Sequence, residues 1–139
     1  MRTLITTPEY LDFISTLSDK VKIKIDYITD ILIQSPVINT KFVKKLENTD
    51  LYEMRISLDN EYRVILFSIN HPNIIQATQI LMLNGFIKKT TKDYKAQIDI
   101  ANKILQRLSN EPEEDDKQNE DNNETKDQNN DTLQDGDGK

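Results

Sequence analysis

Four cationic side chains are spaced so that they can meet in space while lying far apart in the chain. Arg55 closes the stretch Leu51-Tyr52-Glu53-Met54-Arg55, Arg63 sits in Tyr62-Arg63-Val64, and Lys88 and Lys89 end Asn84-Gly85-Phe86-Ile87-Lys88-Lys89-Thr90. Each lies on, or just beyond, a segment with strand-like patterning, and neighbouring strands are only about 4.8 Å apart. The chemistry such a cluster suits is cleavage or binding of RNA. Attack by the RNA's own 2′-hydroxyl needs charge stabilisation at the phosphate, which guanidinium forks and ammonium groups supply through charge-assisted hydrogen bonds. It also needs proton transfer, for which a tyrosine or a lysine of depressed pKa is a candidate. Tyr94, close after the lysines, is such a tyrosine.

Each of these residues also has a plainer reading. Arg55, on the polar face of a strand, can be a solvated charge paired with Glu53 or Glu61. Lys88 and Lys89 can be a solvated loop pair, because charged residues are the norm at surfaces. Arg63 is harder to dismiss: a charge inside an otherwise apolar central strand must either pair or face a site. Tyr94 can stack on a base, donate a proton, or pack beneath its own helix with Ile98. Tyr52, Tyr62 and Phe86 read as core. His71 is the single histidine and falls in a turn beside Pro72. No His/Asp/Glu cluster suggests a metal site, and no glycine-rich phosphate loop exists among three glycines, so no metal or cofactor is expected.

The elements that would position these groups are legible from periodicity. Residues 2–6 suit a short first strand. Thr7-Pro8-Glu9 reads as a helix start, with a hydroxyl cap, proline in the first turn and an acid behind it. Tyr10, Phe13, Ile14 and Leu17 follow at helical spacing. Ser18-Asp19 opens a second helix, whose stripe is Val21, Ile25, Ile28 and Leu32, and Ser35-Pro36 ends it. Residues 8–34 therefore predict a helix pair. Residues 37–50 read as a connector with a helical turn at 40–46. The period then becomes two. Residues 51–58 alternate as a half-buried strand with Glu53 and Arg55 on the polar face, Asp59-Asn60 turns, and residues 62–69 form the central strand. Residues 74–83 predict a third strand, with Gly85 breaking the sheet. Asp93 is a plausible cap for a last helix, whose inner stripe is Ile98, Ala101, Leu105 and Leu108.

Charge divides the chain. Its net charge is −6 overall. Residues 1–109 carry fifteen Lys/Arg against twelve Asp/Glu, and residues 110–139 carry three against twelve. The expected arrangement is a mildly basic folded domain over 1–109 and an acidic tail over 110–139. The tail has Leu133 as its one large apolar residue and cannot offset its ordering entropy by burial, so it is expected to be disordered. It is either a solubilising extension or an internal polyanion that competes with RNA for the basic face. About 109 residues suffice for a modest core of two packed layers. There is no cysteine, hence no disulfide framework or thiolate zinc site. With no signal-like N-terminus and no membrane-length apolar run, a cytoplasmic protein without membrane association is the default.

The order helix–helix, hairpin with Leu-Tyr-Glu-Met-Arg, Tyr-Arg-Val, then Asn-Gly-Phe-Ile-Lys-Lys-Thr and a closing helix resembles the phage-derived HigB-like branch of the RelE/ParE toxin superfamily. The likeness covers residues 40–108 closely and residues 1–39 in architecture. It implies an α+β fold: an N-terminal helix pair packed on a small, mainly antiparallel sheet of three to four strands, with a C-terminal helix. It implies a type II toxin that cleaves mRNA on the ribosome without a metal or small-molecule cofactor and is silenced by a helix-turn-helix antitoxin. Arg55, Arg63, Lys89 and Tyr94 would then form the catalytic set, with Lys88 and Lys92 binding RNA. The chain departs from the family pattern at Asn84, where histidine is frequent, at Tyr94, where proline is common, and at Gln97, where glutamate is common. Two alternatives stand beside the nuclease: a toxin that binds DNA gyrase, and a catalytically silent partner-binding module.

Overall fold

A computed structural model describes residues 1–110 of the chain. The acidic segment expected to be disordered lies, from residue 111 on, outside the described residues. Residues 1–104 form one compact unit. In chain order the elements are β1 (Thr3–Thr6), α1 (Pro8–Ser15), α2 (Asp19–Gln34), β2 (Val43–Lys45), β3 (Tyr52–Leu58), β4 (Asn60–Ser68), β5 (Gln79–Ile87) and α3 (Asp93–Asn110). The five strands make one sheet of order β1-β5-β4-β3-β2. Its pairs are antiparallel except β1 with β5. The α+β class matches the expectation, with five strands in place of three to four. Among the described residues no helix is long and apolar enough to cross a membrane.

The helix pair begins where the capping residues dictate. The Thr7 hydroxyl accepts from the Tyr10 amide at 3.0 Å, and the Ser18 hydroxyl accepts from the Val21 amide at 3.4 Å. Val21, Ile25, Ile28 and Leu32 then bury one stripe of α2. They pack with Tyr10 of α1 and with Met54, Ile56, Tyr62, Val64, Leu66 and Met82 of the sheet in one core. Arg2, which sequence reasoning passed over, closes this layer. Its buried guanidinium donates to the carbonyls of Leu32 in the last turn of α2, of Ser35 and Pro36 after it, and of Ile75 and Ala77 before β5.

Three local expectations are corrected. The connector holds a turn at residues 40–42 followed by the short strand β2, and not a helical turn over 40–46. Asn39 starts it, its backbone carbonyl accepting from Phe42 and Val43. The last strand starts later than residue 74, because the Asn70 side chain folds residues 70–79 into a closed loop. Its Oδ1 accepts from the Thr78 and Gln79 amides, and its Nδ2 donates to the Thr78 hydroxyl. Gly85 does not break the sheet: it pairs with Val64 inside β5. Its lack of a side chain serves packing instead. A Cβ there would stand 2.3 Å from the Phe13 ring, so glycine lets α1 lie close against the strand.

Because strand residues alternate, the sheet's other face carries a different set. Two cross-strand rows lie on it: Glu53, Ile65 and Asn84, and beside them Arg55, Arg63 and Phe86. The expected solvated polar face is in fact covered. Tyr94 and Gln97 of α3 reach it directly, so the sheet has helices on both faces and the core is built in three layers, not two. Glu53 and Arg63 are left only 6% and 3% exposed.

Candidate functional site

The polar row beneath the start of α3 is joined by hydrogen bonds between three strand or helix positions. Arg63 donates through Nε to the Tyr94 hydroxyl at 3.0 Å, and that hydroxyl donates to Glu53 Oε1 at 2.5 Å. The same Arg63 nitrogen lies 3.2 Å from Glu53 Oε1 as an ion pair. Arg63 Nη1 donates to Glu61 Oε1 at 3.2 Å and to the Tyr62 carbonyl at 3.0 Å. Of the two expectations for Arg63, that it pairs or that it faces a site, the pairing is what the fold displays. Arg63 is paired with two carboxylates and it adjoins the tyrosine best suited to proton transfer.

Tyr94 is held from three sides. Phe86, its neighbour on β5, meets its ring edge-on with centroids 5.5 Å apart. Burial raises its hydroxyl pKa above the ordinary tyrosine value, and the hydrogen bond to Glu53 adds to this, while Arg63 opposes it. The group is therefore a neutral donor at physiological pH. Its ring packs against Phe86 and borders the same depression as Ile98, while its hydroxyl reaches Glu53 and Arg63.

Arg55 stands at the margin. Its Nε approaches Glu53 Oε2 at 3.5 Å, and its side chain is 33% exposed. That separation supports attraction, but Nε makes no hydrogen bond. Arg55 is thus the more exposed guanidinium of the two. Glu53, which the sequence suggested only as a surface partner for Arg55, lies between both arginines and Tyr94. The signal available for it was a lone acid between the buried Tyr52 and Met54.

The lysines occupy the loop that joins β5 to α3. Lys88 extends the β4–β5 ladder, donating its amide to the Glu61 carbonyl at 2.7 Å. Lys89 and Lys92 are exposed. Asp93 shapes this loop in a way that differs from the expected helix cap. Its carboxylate accepts from the backbone amides of Lys89 and Thr90 at 2.7 and 2.9 Å, turning the lysine loop back on itself. The Thr90 and Lys89 amides hold the Asp93 carboxyl below the usual carboxylate range, with Lys89 and Lys88 adding to the effect. Glu61 is likewise lowered, by hydrogen bonds from Ser57 and Arg63, with the Lys88 charge contributing.

Asn84 and Gln97, two of the three departures from the family pattern, are in contact. The buried Asn84 donates through Nδ2 to Gln97 Oε1 at 3.0 Å and to the Gln97 carbonyl at 3.2 Å. Both are neutral amides, so this contact between β5 and α3 holds no titratable group. Asn84 Oδ1 is left buried with no hydrogen-bond partner.

A family model described as "Phage derived protein Gp49-like (DUF891)" matches residues 12–106, the span from α1 through most of α3 and every residue of the cluster above. The chain belongs to this family. The Gp49-like family is phage-derived and of toxin type, within the RelE/HigB-like toxin superfamily. No curated protein matches the chain significantly. For this Gp49-like protein, then, the fold and the polar cluster are set in a toxin framework whose chemistry must be argued from Arg55, Arg63, Glu53, Tyr94 and the lysine loop.

Proposed function

We propose that this Gp49-like protein is the toxin of a type II toxin–antitoxin pair and acts as a metal-independent, ribosome-dependent mRNA endoribonuclease in the cytoplasm, silenced by a helix-turn-helix antitoxin. The observation that carries the reading is the hydrogen-bond chain from Arg63 through Tyr94 to Glu53. A tyrosine kept protonated by burial, and fixed between a guanidinium and a carboxylate, suits general-acid work. In the reaction, the 2′-hydroxyl attacks the adjacent phosphorus in line and gives its proton to water, the bond to the 5′-oxygen breaks with Tyr94 supplying the proton that oxygen takes, and a 2′,3′-cyclic phosphate and a 5′-hydroxyl are left. Arg63 stabilises the phenolate left behind, and thereby acts as a positioning residue. Arg55 and Lys89 neutralise charge on the phosphate, and Lys88 and Lys92 hold the RNA backbone.

The test is induced expression in bacteria with translation and DNA synthesis followed separately. A rapid stop in translation, with mRNA cut within codons, is the expected result. Arrest of DNA synthesis with translation intact would move the assignment to a gyrase-binding toxin. The absence of any growth effect in the absence of antitoxin would favour the catalytically silent module, a reading to which the neutral Asn84–Gln97 pair lends its weight.

A further inference from the structure

Along the edge of β3 that carries Arg55 and Ser57, α2 presents apolar side chains that its own core does not use. Tyr27 is 64% exposed and Val37, just past the helix, 69% exposed. Two adjoining depressions run along this flank and share Ile28 and Phe42, one reaching Ile31 and Val37 and the other reaching Lys24, Tyr27, Lys41 and Arg55. Together they form one groove between α2 and residues 37–43. At helical spacing Lys20, Lys24, Tyr27 and Ile31 fall on the same flank, Lys20 pairing with Asp59 at 3.6 Å beyond the groove. The far wall adds Lys41 and Arg55, so the rim is cationic and the floor is aliphatic and aromatic.

Beside the groove the edge of β3 is capped by the chain itself. Strand β2 pairs with β3 only as far as Val43 opposite Met54. Beyond it, Arg55 donates its amide to the Phe42 carbonyl, and the Ser57 carbonyl is taken by the Lys24 ammonium at 2.5 Å. A lysine on a strand edge guards against indiscriminate strand pairing.

We infer that this groove is the docking site for an acidic, amphipathic segment of a protein partner, which seats apolar residues on Tyr27, Val37 and Phe42 and sets carboxylates against Lys24, Lys41 and Arg55. Charge complementarity selects this occupant. RNA would match the cations but not the aliphatic floor. A second copy would bring the same cations against themselves. The chain's own residues 111–139 supply acids but offer Leu133 as the one large apolar residue. The inference deepens the toxin reading, because such a partner is what an antitoxin would be, and it rests on that reading only for the partner's name.

The experiment uses the isotope-labelled full chain and a synthetic peptide of glutamate and leucine at helical amphipathic spacing, followed by backbone amide shifts. The expected result is saturable binding with shifts on α2 and residues 37–43. Tyr27→Ser should weaken it about tenfold, and so should Lys24→Glu with Lys41→Glu, while Lys92→Ala leaves it unchanged. Both Tyr27 and Lys41 are exposed, and thermal melts check that these variants fold. Four results would overturn the inference: no saturable binding; shifts confined to residues 88–95; equal binding by a single-stranded RNA oligonucleotide or by a peptide of residues 111–139; or self-association that occupies the groove. None of these readouts depends on RNA cleavage, so failure here and failure of the nuclease reading are distinguishable.

Discussion

The Arg63 guanidinium and the Tyr94 hydroxyl are hydrogen-bonded at 3.0 Å across 31 residues of sequence, from the central strand to the first turn of the last helix. This contact is part of the reason a charge can sit in the middle of β4. An isolated buried guanidinium would be costly. Here Glu53, Glu61 and Tyr94 divide its donors between them, and Arg63 and Glu53 hold the tyrosine hydroxyl against the sheet.

Removing one member of this network should leave its partners stranded. Arg63→Ala is expected to destabilise the protein by about 3 kcal/mol, because Glu53 stays buried with its closest cation gone and only the Tyr94 hydroxyl and the longer Arg55 contact left. Glu53→Gln with Arg63→Met should cost clearly less than the two single changes added together. Urea unfolding of the four proteins in a double-mutant cycle measures the coupling, and simple additivity would show that the buried pair does not act as a unit.

Gly85→Ala is expected to cost about 1–3 kcal/mol by overpacking, since the new methyl group would overlap the Phe13 ring. Shortening the opposing side chain with Phe13→Leu should recover part of that loss in the double variant. Thermal unfolding tests it. A Gly85→Ala protein as stable as the parent would mean that α1 can move off β5 freely.

Alkaline pH should act through Tyr10. Burial, with Asp26 adding, pushes its pKa up to about 12. A folded-state pKa raised above the unfolded value contributes stability that is complete below about pH 10 and is lost as pH rises through about 12. Melting temperatures measured across that window should fall for the parent and fall less for Tyr10→Phe. Identical slopes would remove Tyr10 as the cause.

What could be read from the sequence was whatever rests on local signals. Thr7-Pro8 and Ser18 capped their helices, the stripe Val21, Ile25, Ile28 and Leu32 was buried as its spacing required, and the β3–β4 hairpin turned at Asp59, whose φ of 66° suits an aspartate. What was missed depends on distant partners. β2 has three residues, too few for a period to register, and exists because β3 offers it an edge. Gly85 looked like a breaker because nothing local announces that Phe13 will lie against it. For the site, the convergence of Arg55, Arg63 and Tyr94 could be anticipated from strand order. The enclosure of Glu53 and Arg63 could not, because it follows from α3 crossing a face whose alternation reads as solvated. The pairing of Asn84 with Gln97 was invisible for the same reason: each is unremarkable until the helix sets it beside the other.

The most direct measurement is primer extension on mRNA in a translating extract, comparing the parent protein with Tyr94→Phe and Lys89→Ala. Tyr94→Phe keeps the ring that meets Phe86 and removes the hydroxyl, at a stability cost of about 1 kcal/mol. The predicted result is ribosome-dependent cleavage by the parent, reduced about a hundredfold in Tyr94→Phe, with a smaller loss in Lys89→Ala. Undiminished cleavage by folded Tyr94→Phe would contradict the assignment of Tyr94 as the general acid. The absence of cleavage by the parent, on or off the ribosome, would contradict the nuclease itself.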